Sequence, residues 1–165
     1  MFITNSKSEG KTIVNTLKAT SLVLFMLVIL PVQSAGAFEK INKGYFGGVA
    51  VGGYDAVAYF TQSKAVAGSK QFKLTWEGAD WLFSNRENLA MFKEQPEKYA
   101  PSYGGYCSNQ MSLGNISDID PEVWQVIGGR LFLFGHDAGR QRWATETSDR
   151  IDDADTNWKK MSGGN

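Results

Sequence analysis

The chain has 165 residues with 17 basic and 17 acidic groups, so its formal charge is zero and no basic field exists to hold nucleic acid. Apolar residues at 42% and charged residues at 21% are ordinary globular usage, which excludes a disordered chain or a coiled coil. One Cys and one His exclude an internal disulfide framework, an iron–sulfur cluster, a four-thiolate zinc site and multi-histidine metal centres.

The N-terminus reads as an export signal over residues 1–37. Lys7, Lys11 and Lys18 form a positive leader, Leu22 to Leu30 is an unbroken apolar run, and Pro31 stops it. Ser34-Ala35-Gly36-Ala37 then supplies the small-residue cleavage site. The run is well short of the roughly 20 residues that a membrane span needs. Cleavage after Ala37 predicts a periplasmic or secreted protein starting at Phe38, with no stable membrane span afterwards. No protein partner can be named from the sequence.

Residues 38–53 are rich in glycine and are expected to be a flexible lead-in. Tyr54 to Phe60 is a short apolar segment that fits a buried strand or one helical turn equally well. Lys70 to Trp76 alternates, Glu77-Gly78-Ala79-Asp80 turns, and Trp81-Leu82-Phe83 returns, which predicts a hairpin. Ser84 or Asn85 caps a helix, Ser84 having Glu87 at capping-box spacing, and the helix ends before Pro96. Residues 101–121 are expected to be mostly loop. Val123 to Ile127, Gly128-Gly129 and Leu131 to Phe134 predict a second hairpin. Asp137 caps a helix to about Glu146, and Ser148 or Asp149 caps another carrying Ile151, Ala154 and Trp158 on one face. The tail 162–165 is expected to be disordered. No internal repeat is apparent.

Trp76-Glu77-Gly78-Ala79-Asp80-Trp81-Leu82-Phe83-Ser84, followed by Phe92, Pro96, Lys98 and Tyr99, resembles a YHS domain. Gly53 to Phe60 and Tyr103-Gly104-Gly105-Tyr106-Cys107 resemble the exported branch of that family. The resemblance implies a single small α+β domain with two short antiparallel hairpins and packed helices. It places the YHS-like part at 54–101 and a C-terminal extension of loop, hairpin and two helices at 102–161. It also implies metal binding, copper above all, although the paired cysteines of metal-binding members are missing: Ser84 follows Phe83, and Tyr54-Asp55-Ala56-Val57 stands where an early cysteine pair would be.

Two candidate sites follow. Tyr103, Tyr106 and Cys107 bring two amphipathic rings, two glycines and the sole thiol within five residues, and are expected to line a cleft opposite Tyr54, Asp55 and Tyr59. Buried, Asp55 needs a partner, such as Arg86 or Tyr103. Cys107, Met111 and His136 offer a thiolate, a thioether and an imidazole, a donor set suited to copper. Cys107 as a nucleophile would need His136 as base and Asp137 to orient it. Three classes of function stand: a non-catalytic exported binding or accessory protein handling a metal or small ligand, a structural or interaction module with an aromatic surface, and a Cys-dependent enzyme. The first ranks highest, because no charged catalytic pair has a recognisable spacing.

Overall fold

Tyr54 to Phe60 resolves as a bend and one turn of helix. Asp55 accepts from Val57 N–H at its own carboxylate, which starts the turn, and helix α1 runs Ala58–Thr61. Strands β1 (Ser69–Trp76) and β2 (Ala79–Phe83) pair antiparallel through a two-residue turn. Glu77 (φ 49°) and Gly78 (φ 73°) both have positive φ, as the turn that matches strand twist demands. Helices α2 (Arg86–Glu94) and α3 (Pro96–Tyr99) follow, with Pro96 opening the second. The expected loop 101–121 holds a short helix, α4 (Ser108–Ser112). Then come β3 (Asp120–Ile127), β4 (Arg130–Phe134), α5 (Asp137–Thr145) and α6 (Thr147–Ser162). This is a small α+β protein with two antiparallel hairpins.

The structure is a computed structural model that describes residues 1–2, 38–44 and 47–163. Residues 3–37 of the expected export signal and the last two tail residues lie outside the described residues. Among the described residues no helix is long and apolar enough to cross a membrane.

The chain contains an internal repeat, contrary to the sequence reading. The register of β1 with β2 recurs in β3 with β4 at an offset of 51 residues: Ser69↔Phe83 becomes Asp120↔Phe134, and Trp76↔Ala79 becomes Ile127↔Arg130. The irregularity between Ser69 and Lys73 reappears between Asp120 and Trp124. Before the hairpins the backbone kink also repeats. Val51 (φ 53°, ψ 31°) and Gly52 (φ 58°, ψ 18°) match Tyr103 (φ 57°, ψ 34°) and Gly104 (φ 61°, ψ 14°). After the hairpins, Asn85 and His136 both cap by accepting the N–H three residues on. The first repeat therefore spans 51–99 and the second begins at 103. The boundary expected at 101/102 falls between them, and the C-terminal part is a second copy of the same plan rather than an extension.

β4 lies between two cores. Leu131 and Leu133 join Tyr59, Trp81, Phe83 and Phe92. Phe132 and Phe134 join Tyr103, Cys107, Met111 and Trp143. Strand alternation thus lets the second hairpin seal both cores with one element. The lead-in is ordered where it is described: Asn42 N–H donates to Gly104 O at 2.8 Å, and Phe38 packs against Tyr106 and Trp158. Gly104 is required there, because a Cβ would collide with the Lys40 carbonyl. Ser84 does not cap α2; Asn85 does, and the Ser84 hydroxyl is used elsewhere. Likewise His136, not Asp137, caps α5, and α6 starts at Thr147, ahead of the expected caps at Ser148 or Asp149. Ser162 closes α6 and Gly163 ends it in the left-handed conformation, so this half of the expected disordered tail is a helix terminus.

Candidate functional site

Each repeat places one side chain between its kinked loop and the N-terminus of its main helix. In the first repeat this is Asp55, fully buried. Its carboxylate accepts five hydrogen bonds: Val57 N–H and Ala58 N–H on one oxygen, Ser84 N–H, Ser84 O–H and Asn88 Nδ2 on the other. The distances run from 2.7 to 3.3 Å. A buried carboxylate is tolerable only with such a shell, and this one ties the loop, the strand end and α2 together. The partners are not Arg86 or Tyr103, as the sequence suggested, but Ser84 and Asn88.

In the second repeat the same place holds Cys107, 4% exposed and free. Its Sγ accepts from Gly135 N–H at 3.3 Å, the counterpart of Ser84 N–H. The Ser84 hydroxyl and the Asn88 amide have no counterparts, because those positions are Gly135 and Gly139. A Cβ on Gly139 would meet the His136 ring and Asn109, which places those three residues together at the start of α5.

The two nodes differ in another way. Among the described residues, the buried side-chain atoms without a hydrogen-bond partner are Ser108 Oγ, Asn109 Oδ1, Gln125 Oε1, Trp143 Nε1 and Arg150 Nε. All belong to the second repeat. The first four stand where the first repeat has Ala56, Val57, Leu74 and Phe92, which have no polar side-chain atom to satisfy. Each such group costs about 1–3 kcal/mol of desolvation. Among the described residues, the buried side-chain polar atoms without a partner are thus confined to the second repeat.

The six residues expected to share one cleft are divided between the two cores. Tyr59 donates to Pro121 O at 2.7 Å and stacks edge-on with Trp124, while Tyr54 donates to Glu122 at 3.2 Å. Tyr103 donates to Asp155 at 2.9 Å, and Tyr106 donates to Glu39 O at 3.1 Å. The rings are held by their hydroxyls to different segments, so the two sets do not face each other. Burial raises the pKa of Tyr59 and of Tyr103, the latter aided by Asp155, and keeps both hydroxyls as donors. A hollow of about 400 Å³ lies instead over β2, lined by Val49, Lys70, Lys73, Asp80 and Leu82, none of them a predicted site residue.

Of the proposed copper donors, Cys107 and Met111 sit one helical turn apart, Met111 N–H donating to Cys107 O, and both belong to the second core. His136 is exposed and already accepts Gly139 N–H at Nδ1, so only Nε2 is left. Among the described residues no group of three His, Cys, Asp or Glu side chains converges. The nucleophile arrangement is not formed either: Asp137 is engaged by Arg140 and Gln141 rather than by His136. Arg140 is the main cause of the lowered pKa of Asp137. Sequence reasoning missed Ser84, Asn88, Ser108, Asn109 and Trp143. The signal that could have found them is the Gly-Gly-Tyr string, present at 52–54 and again at 104–106.

Comparison of the chain with protein-family models, with curated proteins and with solved structures gives no match.

Proposed function

We propose that the chain is an exported, non-catalytic accessory protein of the YHS type, in which the first repeat is scaffold and the second handles a soft ligand, copper(I) being the leading candidate. The observation that carries this reading is the contrast between the nodes. One is a carboxylate saturated by five donors; the other is a thiol with a single donor, in a repeat where the buried Ser108 Oγ, Asn109 Oδ1 and Trp143 Nε1 have no partner. Groups retained at a cost to stability are the ordinary mark of a site. Cys107 and Met111 are the soft donors that would hold the ion, with His136 Nε2 at the rim. The bound ion would supply redox or transfer chemistry; the chain's own residues would exclude water and hold the thiolate. An enzyme reading gains nothing from the geometry, since Cys107, His136 and Asp137 are each committed to other partners. The interaction reading through an aromatic surface gains little, since among the described residues from 38 onward the exposed large apolar side chains are Leu113, Ile116 and Val126.

Copper(I) titration of the protein starting at Phe38, beside Cys107→Ser and Met111→Leu, tests this. One ion per chain in the parent, lost in Cys107→Ser and weakened in Met111→Leu, is expected. No specific uptake by the parent would retire copper. N-terminal sequencing of the exported form is expected to begin at Phe38, and an intact Met1 in the membrane fraction would reverse the export reading.

A further inference from the structure

The internal repeat shows what this backbone accommodates where the hollow over β2 lies. The residues that line the hollow have counterparts on the second hairpin: Lys70 corresponds to Pro121, Lys73 to Trp124, Asp80 to Leu131 and Leu82 to Leu133. The packing beside them repeats as well. A Cβ on Gly53 would meet Val49 and Leu82, and a Cβ on Gly105 would meet Pro101 and Leu133. On the second hairpin this face is covered by the first repeat. The Tyr59 ring stacks edge-on with Trp124 at 5.2 Å, its hydroxyl donates to Pro121 O at 2.7 Å, and Leu131 and Leu133 are fully buried in the same core as Tyr59. On the first hairpin the matching face is partly exposed and holds the hollow of about 400 Å³.

The difference between the two faces is charge. Pro121, Trp124, Leu131 and Leu133 carry none, whereas Lys70, Lys73 and Asp80 leave one net positive charge. The Asp80 oxygens accept from Lys73 at 2.9 Å and from Thr75 at 2.7 Å, which lowers the Asp80 pKa and keeps the carboxylate ionised against Lys73. Lys70 is exposed and, among the described residues, has no carboxylate within ion-pair distance. The lining thus offers apolar Val49 and Leu82 beside one unmatched ammonium. We infer that the hollow over β2 binds a small aromatic carboxylate, its ring in the place that Tyr59 takes on the second hairpin and its carboxylate paired with Lys70. The volume lies toward the low end of the roughly 300–1,000 Å³ usual for small-ligand sites, which suits a molecule of one ring. The site lies in the repeat that the copper reading treats as scaffold, and neither idea depends on the other.

The test is titration of the protein with phenylacetate, followed by amide chemical shifts, beside benzyl alcohol as a ring without the charge and acetate as the charge without the ring. Saturable shifts centred on Val49, Lys70, Asp80 and Leu82 are expected with phenylacetate, and weaker binding with each of the other two. Lys70→Gln is expected to weaken phenylacetate about fivefold, the upper range for one exposed ion pair, and Lys70→Arg to restore it. Lys70 has no side-chain partner to lose, so both variants are expected to melt as the parent does. No saturable shift with phenylacetate, equal binding of benzyl alcohol or acetate, or full affinity in Lys70→Gln would each overturn the proposal. So would a dimer whose dissociation on dilution moves the same amides, since a second copy would then be what covers this face. Copper uptake enters none of these readouts, so its failure and the failure of this site are distinguishable.

Discussion

The two repeats share a backbone and divide the chemistry. In the first, the Asp55 carboxylate at the loop–helix junction is fully partnered, no buried side-chain polar atom among the described residues lacks a partner, and the flanking positions Ala56, Val57 and Phe92 are apolar. In the second, the carboxylate becomes a thiol, two donors become glycines, and Ser108, Asn109 and Trp143 bring polar atoms that stay unpaired. The kink, the register and the cap survive this change, so the fold does not depend on which residue fills the node. What the node chemistry decides is how firmly the loop is tied to the helix.

The largest expected effect breaks the first node. Asp55→Ala leaves the Val57 N–H, the Ser84 N–H and hydroxyl and the Asn88 amide without their acceptor, while Ala58 N–H keeps the residue-55 carbonyl, and is expected to cost about 3–5 kcal/mol in a denaturant titration. Cys107→Ala, in the equivalent place, removes one weak bond and a small side chain, and is expected to cost about 1–2 kcal/mol. Equal losses would erase the distinction between the nodes.

A smaller effect concerns a clasp that only the second repeat has. Arg130 donates to both oxygens of Asp155 at 3.0 and 2.7 Å and covers the Tyr103 and Phe132 rings. Arg130 is the main reason that the pKa of Asp155 is lowered. The unfolded chain therefore takes up this proton at a higher pH than the folded one. The clasp's contribution is complete above the ordinary carboxylate value of about 3.9 and is lost as pH falls through the depressed one. Both side chains are more than 40% exposed, so the contribution is at most about 1 kcal/mol. Arg130→Ala is expected to flatten the acid limb of stability against pH by that amount; an unchanged limb would show that the clasp is idle.

The smallest effect compares the hairpin turns. Glu77 holds φ 49° where the second repeat has Gly128 at φ 58°. Glu77→Gly is expected to stabilise by a few tenths of a kcal/mol, and Gly128→Glu to destabilise by about 1 kcal/mol, in paired melts.

Most of the fold was legible because its signals are local. Alternation in Phe72, Leu74 and Trp76, the Gly128-Gly129 turn and the break at Pro96 each act within a few residues. The repeat was not legible, because its likeness lies in backbone angles and register while most side chains diverge: Trp76 corresponds to Ile127 and Asn85 to His136, and only Gly-Gly-Tyr and the Leu-Phe pair of 82–83 and 133–134 recur as strings. The site was half legible. Cys107, Met111 and Asp55 were singled out by residue type, but their partners were not, since Asp55 reaches 29 and 33 residues ahead to Ser84 and Asn88. Spacing along the chain carries no record of such contacts. The tyrosine cleft failed for the same reason: each hydroxyl is claimed by a segment distant in sequence, Pro121 for Tyr59 and Asp155 for Tyr103.

The central claim is that the unpaired polar groups of the second repeat are kept at the expense of stability. The most direct measurement installs the first repeat's residues in the second, as Ser108→Ala, Asn109→Val and Trp143→Phe together, and follows thermal unfolding of the protein starting at Phe38. The account predicts a melting temperature above that of the parent, while the mirror variant Ala56→Ser, Val57→Asn, Phe92→Trp melts below it. A second-repeat variant that melts as far below the parent as the mirror does would contradict the account, and would mean that these groups serve the fold after all.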